Sequence, residues 1–160
     1  MKKLITLVSA VICVLSLAAC NNAEHEKVST YSFRGEHDYF AISNGSIVLS
    51  DTEELFDGGE LEITQFGVLE DVASYSTTFY TITNGERRII LSNSVIDQTG
   101  GTVNVDGDLG KASGKGSIIS SKVENIDALR ENLWFELKTT DLDGKENVYQ
   151  IQLTLIDRHF

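Results

Sequence analysis

Leu133-Trp134-Phe135-Glu136-Leu137-Lys138-Thr139 and, beyond Asp141-Leu142-Asp143-Gly144, Tyr149-Gln150-Ile151-Gln152-Leu153-Thr154-Leu155 decide the fold of this chain. In each stretch apolar and polar side chains alternate with a period of two. Successive side chains of a strand point to opposite faces, so such alternation marks a strand with one face in a core and one in water. Antiparallel sheets with one solvated face read this way. The Asp-Leu-Asp-Gly segment turns the chain between them.

Working outward, the same reading extends over most of the chain. Ala73–Thr83 and Glu86–Val95 flank Asn84-Gly85, a dipeptide suited to a type I′ turn because both central residues need positive φ. Tyr39–Ser43 and Ser46–Ser50 flank a second Asn-Gly, Asn44-Gly45, and read as a further tight hairpin. Val28–Arg34 forms the first strand, and Glu60–Phe66 another, entered through Gly58-Gly59. Gly100–Gly116 holds six of the thirteen glycines and reads as a short strand, Thr102–Val105, and a mobile loop leading into a strand at Ser117–Ser121. Ile126–Asn132 is the one helical turn, with Asn125 as its cap. It joins strands and builds no layer of its own. With no proline to remove a ladder donor, about nine or ten antiparallel strands are expected in an all-β domain. The expected architecture is a two-sheet sandwich of immunoglobulin-like character, and the alternative is a lipocalin-like closed barrel.

The N-terminus carries a different signal. Lys2 and Lys3 precede an almost unbroken apolar run, Leu4–Leu17, and small residues lead into Leu17-Ala18-Ala19-Cys20. That order is a secretory signal peptide over residues 1–19. The 16 positions from Leu4 to Ala19 fall short of the ~20 that a spanning helix needs, and Thr6, Ser9 and Ser16 interrupt them. Leu-Ala-Ala-Cys resembles the bacterial lipobox, which implies that Cys20 receives a diacylglyceryl group and becomes the mature N-terminus. One acyl chain binds a membrane marginally and two or more hold it stably, each buried methylene contributing ~0.8 kcal/mol. Asn21 stands where Gram-negative lipoproteins retained at the inner membrane carry Asp. Residues 20–27 then form the lipidated end and a tether, of which Asn21–Lys27 spans ~25 Å when fully extended.

Removing residues 1–19 from the 160 leaves 141, of which 28–160 reads as a single domain. Cys13 leaves with the signal and Cys20 is committed to lipid, so the exported domain has no disulfide and depends on its own core. It carries 11 basic and 24 acidic residues, a net charge of −13. That balance excludes nucleic acid, whose binding rests on neutralising phosphates, and argues against lying flat on an anionic membrane.

Catalytic and metal chemistry find little support. Gly110-Lys111-Ala112-Ser113-Gly114-Lys115-Gly116 has three residues between its glycines where a phosphate loop has four, and Gly116 where the magnesium-binding hydroxyl belongs. Asn104–Asp108, Asp141–Glu146 and the cluster Asp51, Glu53, Glu54 and Asp57 collect oxygen donors, but none has the spacing of a calcium loop. Acidic turns of this kind arise because Asx side chains bond their own backbone. His25 is in the tether and His159 at the C-terminus, while His37 adjoins Asp38 in a turn where the two side chains do not face each other. No Gly-x-Ser-x-Gly elbow is present. The chain therefore reads as a non-enzyme with no assigned catalytic residue, cofactor or metal. Trp134, Tyr31, Tyr39, Tyr75 and Tyr80 are candidates for a recognition surface, with Trp134 on the wet face of its strand. Arg87 and Arg88 form the adjacent basic pair, facing either an acidic partner or local acids such as Glu86.

Tyr31-Ser32-Phe33-Arg34-Gly35-Glu36, Asn44-Gly45, Phe56-Asp57-Gly58-Gly59, Ser76-Thr77-Thr78-Phe79-Tyr80 and Asn84-Gly85-Glu86 resemble small uncharacterised cell-surface lipoproteins of Gram-positive bacteria. The resemblance implies an exported β domain and no specific activity. The expected protein is lipid-anchored through Cys20 in the outer leaflet of the cell membrane, its domain facing the extracellular or periplasmic side. There it serves as an envelope binding or interaction module for an envelope protein or small ligand. The alternative is a lipocalin-like carrier of a small apolar ligand.

Overall fold

A computed structural model of the chain describes residues 28–65, 67–116, 118–120 and 126–157. The signal segment, Cys20, the tether, Asn125 and His159 lie outside these. The elements run β1 (Ser29–Glu36), β2 (Phe40–Leu49), β3 (Glu54–Asp57), β4 (Glu60–Ile63), β5 (Val72–Thr83), β6 (Glu86–Ile96), β7 (Gly107–Asp108), β8 (Lys111–Gly114), α1 (Ile126–Asn132), β9 (Leu133–Asp141), β10 (Glu146–Gln152) and β11 (Thr154–Asp157). One antiparallel sheet has the order β11-β1-β2-β3-β8, widened by β4 on β2 and β7 on β4, and the other has the order β10-β9-β5-β6. Each keeps open edges, so the two-sheet sandwich holds and the closed barrel does not.

Five phenylalanines fill the space between the sheets. Phe33, Phe40 and Phe56 come from the first sheet, Phe79 and Phe135 from the second, and all are 2 % exposed or less. Ring centroids lie 5.2 Å apart for Phe33–Phe56, 5.1 Å for Phe56–Phe79, 5.0 Å for Phe79–Phe135 and 5.9 Å for Phe40–Phe135. Burying each such side chain contributes roughly 1.5–3 kcal/mol, and edge-to-face contacts add about 0.5–1.5 kcal/mol per pair.

The second Asn-Gly is not a hairpin turn. β2 runs straight through Asn44-Gly45, pairing with β1 on both sides of it (Thr30↔Val48 and Gly35↔Ile42). The register between them shifts by one residue opposite Arg34, so Asn44, at φ 60°, sits in a β-bulge. On the other flank β3 and β4 are one strand interrupted at Gly58-Gly59, with Asp57 paired to Ser46 and Glu60 to Ser43. The next strand breaks on the same line: Gly58 N–H donates to Gly110 O (2.8 Å) and Leu109 N–H to Gly59 O (2.9 Å), between β7 and β8. The result is a crease across three strands. A Cβ at Gly59 (φ 74°) would lie 2.1 Å from Ser43 O, and one at Gly45 2.2 Å from the Phe33 ring. Glycine is required there by close approach of backbone and ring, which also explains the Asn-Gly that resembled a turn.

The first Asn-Gly does turn. Thr83 pairs with Glu86 across Asn84 (φ 54°) and Gly85 (φ 79°). The run Tyr149–Leu155 is divided: β10 pairs with β9 in one sheet and β11 with β1 in the other. Leu153, 1 % exposed, makes the crossing with its N–H on Leu133 O (2.8 Å). Alternation continues through it because both strands face the same core. Thr102–Val105 belongs to no ladder, whereas Lys111–Gly114, expected in a loop, pairs with β3. That strand occupies most of the would-be phosphate loop.

Gly59→Ala is expected to lower stability by about 2–4 kcal/mol through left-handed strain and overpacking, and Gly85→Ala, where the side chain would meet open space, by about 1 kcal/mol. The Thr81 hydroxyl is buried without a hydrogen-bond partner among the described residues, so Thr81→Val should raise stability by about 1 kcal/mol. Urea midpoints of the three variants check the ranking.

Candidate functional site

A hollow opens where β4 and β7 part. Their ladder ends at Leu61↔Gly107. One residue pair further, Ile63 N–H donates to the side chain of Asp106 (Oδ1, 2.6 Å). The carboxylate takes the place of a ladder partner, and residues 63–65, 67–70 and 102–106 line a cleft of about 690 Å³. Thr64 N–H holds one wall to Tyr39 O (2.9 Å), and Val103 N–H holds the other to Val72 O (2.8 Å). Ile63, Val68, Leu69, Val103 and Val105 supply apolar lining, and Thr64, Gln65, Glu70, Thr102, Asn104 and Asp106 polar groups.

Leu69 in this wall has φ 62°. A bulky residue in the left-handed region costs roughly 1–3 kcal/mol and persists only where its surroundings hold it. Here the side chain is half-buried against the main core, as are those of Ile63 and Val103. The volume is that of a small-ligand or peptide site.

The cleft lies at the far end of the first sheet from where the chain enters. Ser29 pairs with Leu49 at the start of β1, whereas Glu36 pairs with Ala41, and Phe40 in turn with Ile63. The eight residues of β1 separate the two ends by ~25 Å.

Three of the carboxylates singled out in the sequence bind backbone amides of their own turns. Asp141 Oδ1 accepts from Asp143 N–H (3.0 Å) and Lys145 N–H (2.8 Å), and Asp108 Oδ1 from Gly110 N–H (2.7 Å). Asp57 accepts from Gly59 N–H (3.0 Å) and pairs with Lys111 (2.8 Å). Among the described residues no three His, Cys, Asp or Glu side chains gather as a metal site.

Glu54 differs from its neighbours. It shares the inward parity of Phe56 and is 2 % exposed, a carboxylate at the edge of the core. Its oxygens accept from the N–H groups of Ile118 (2.9 Å), Ile119 (2.7 Å) and Ser120 (3.3 Å), and from the Ser120 hydroxyl. Segment 118–120 thus wraps a buried anion instead of forming the expected strand. Burial alone raises the Glu54 pKa. The hydrogen bonds from the Ser120 hydroxyl and the Ile119, Ser120 and Ile118 amides together outweigh it, holding the group below its ordinary 4.5. The signal was present in the alternation Glu54-Leu55-Phe56, which puts an acid on the core face.

The five candidate aromatics do not converge. Tyr80 and Trp134 face each other by register on the outer side of the second sheet. Arg87 lies 3.8 Å above the Tyr80 ring and grips Glu136 with two hydrogen bonds (2.8 and 2.9 Å), which Gln150 also reaches (2.6 Å). Hydrogen bonding to Glu136 raises the Arg87 pKa and in turn lowers that of Glu136. Arg88 reaches Glu86 at 3.9 Å, so the basic pair faces acids of its own sheet. Tyr31 lies beneath Arg130 at the opposite end from Tyr39. His37 sits among Tyr39, Phe40 and Tyr149, its Nδ1 accepting the Tyr39 N–H (3.3 Å), so its neighbours are rings and a backbone amide.

No described helix is long and apolar enough to cross a membrane. No family model, curated protein or solved structure matches the chain.

Because Glu54 is the stronger acid when folded, its stabilisation is complete above pH 4.5 and disappears as pH falls through the lower folded-state value. Glu54→Gln should cost about 1–3 kcal/mol at neutral pH. It should also flatten the decline of stability as pH falls through and below the ordinary carboxylate range. Denaturant titrations of both proteins across this range read the difference.

Proposed function

We propose that this chain is an envelope lipoprotein whose β-sandwich is a binding module, held by diacylated Cys20 and presenting its ligand site away from the membrane. The observation that carries the reading is the position of the 690 Å³ cleft, at the end of the sheet opposite Ser29, where the tether joins. A domain held by so short a tether needs its recognition surface on the distal side to reach a partner. The aromatic packing between the sheets supports surface recognition over carriage of an apolar ligand in an interior cavity. Lys2-Lys3, the apolar run and Leu17-Ala18-Ala19-Cys20 support the anchor.

Cys20→Ala is expected to move the protein from the membrane to the soluble or secreted fraction and to abolish incorporation of labelled palmitate. Full membrane retention of this variant would remove the anchor. A photo-crosslinking residue at Val68, in the cleft, should capture a discrete adduct in intact cells, whereas one at Ile89, exposed on the second sheet, should not. Equal adducts at both positions would remove the cleft.

A further inference from the structure

We propose that the distal cleft takes an extended peptide segment in which basic residues alternate with apolar ones. This rests on reading the cleft as the binding site and adds the class of ligand. Three features support it.

The first is shape. The walls are the continuations of two antiparallel strands that stop pairing after Leu61↔Gly107. Asp106 takes the Ile63 amide with its side chain, so the strands open into a slot along their own direction. A strand-like segment entering this slot would lie along residues 102–106, a wall free of turns that belongs to no ladder, the setting for recognition by strand addition.

The second is side-chain alternation. Along Thr102-Val103-Asn104-Val105-Asp106, Val103 and Val105 turn inward while Thr102, Asn104 and Asp106 are exposed. A ligand with period two can set one row of side chains against the valines, Ile63, Val68 and Leu69, and the other against the polar rim.

The third is charge. Described residues lining the cleft include the carboxylates Glu70 and Asp106 and no Lys or Arg. The surrounding end of the sandwich adds Glu36, Glu62, Asp71 and Asp141, the last brought close by the Val72↔Asp141 pair and by Leu142 N–H on Asp71 O (3.1 Å). Lys145 is the basic residue of the adjoining turn. Like charges held together at one end of an anionic domain attract a cationic ligand and repel an acidic one.

The test uses the full-length protein in a neutral detergent with three labelled hexapeptides, alternating Lys-Leu, Glu-Leu and Ser-Leu, measured by fluorescence anisotropy. The Lys-Leu peptide should bind best and weaken as salt rises from about 50 to about 500 mM. Glu70→Lys should weaken it roughly tenfold, and Glu70→Gln by less. Glu131→Lys, the same charge change on exposed α1 at the other end, should leave it nearly unchanged. Equal losses from Glu70→Lys and Glu131→Lys would mean diffuse attraction to an acidic protein and overturn the proposal. Failure of all three peptides to bind would overturn it as well. If Ser-Leu or Glu-Leu binds as tightly as Lys-Leu and Val68→Arg abolishes that binding, the basic-ligand inference falls while the cleft remains a binding site.

Discussion

The contact on which the rest of this structure depends is the approach of backbone to backbone at Gly59 and Ser43, where even a methyl group has no room. Because β4 presses onto β2 at that point, the first sheet folds along a line of glycines. Phe33 packs directly against Gly45, and Phe79 comes within 2.9 Å of where a Gly58 side chain would begin. The rings of both sheets therefore reach each other directly. The absence of side chains on one line of the sheet lets the largest side chains dominate the core, and a domain without a disulfide gains its cohesion this way.

Acidity serves this chain in two ways. In the turns, Asp57, Asp97, Asp108 and Asp141 hold nearby amides in place, replacing strand partners that the irregular loops lack. At Glu54 the same chemistry fixes a segment without secondary structure over the end of the core. Amide dipoles offset part of the cost of burying that carboxylate. Asp106 combines both uses, since the amide it binds is the one whose ladder it opens.

Legibility in the sequence followed the range of the interactions involved. The β5–β6 hairpin and the faces of β9 were readable because turn chemistry and period-two alternation are local. Asn44-Gly45 was misread since positive φ suits a bulge as well as a turn, and only the pairing of β1 with both halves of β2 separates the two. Leu153 kept the alternation while changing sheets, so no local pattern marked the crossing. Glu54 could have been found from its parity with Phe56, but its partners lie more than sixty residues away. The cleft was invisible for the same reason: its walls are loops placed by tertiary contacts.

The placement of β1 also has a mechanical consequence. This strand, the first among the described residues, is hydrogen-bonded on one side to β2 and on the other to β11, the last among them. A pull on the N-terminus, resisted by something gripping the opposite end, acts along β1 and across its ladder bonds. Both rows are then loaded together in shear, rather than being opened one bond after another as at a peeled edge. The arrangement lets the domain bear a load applied through its N-terminal end without unravelling.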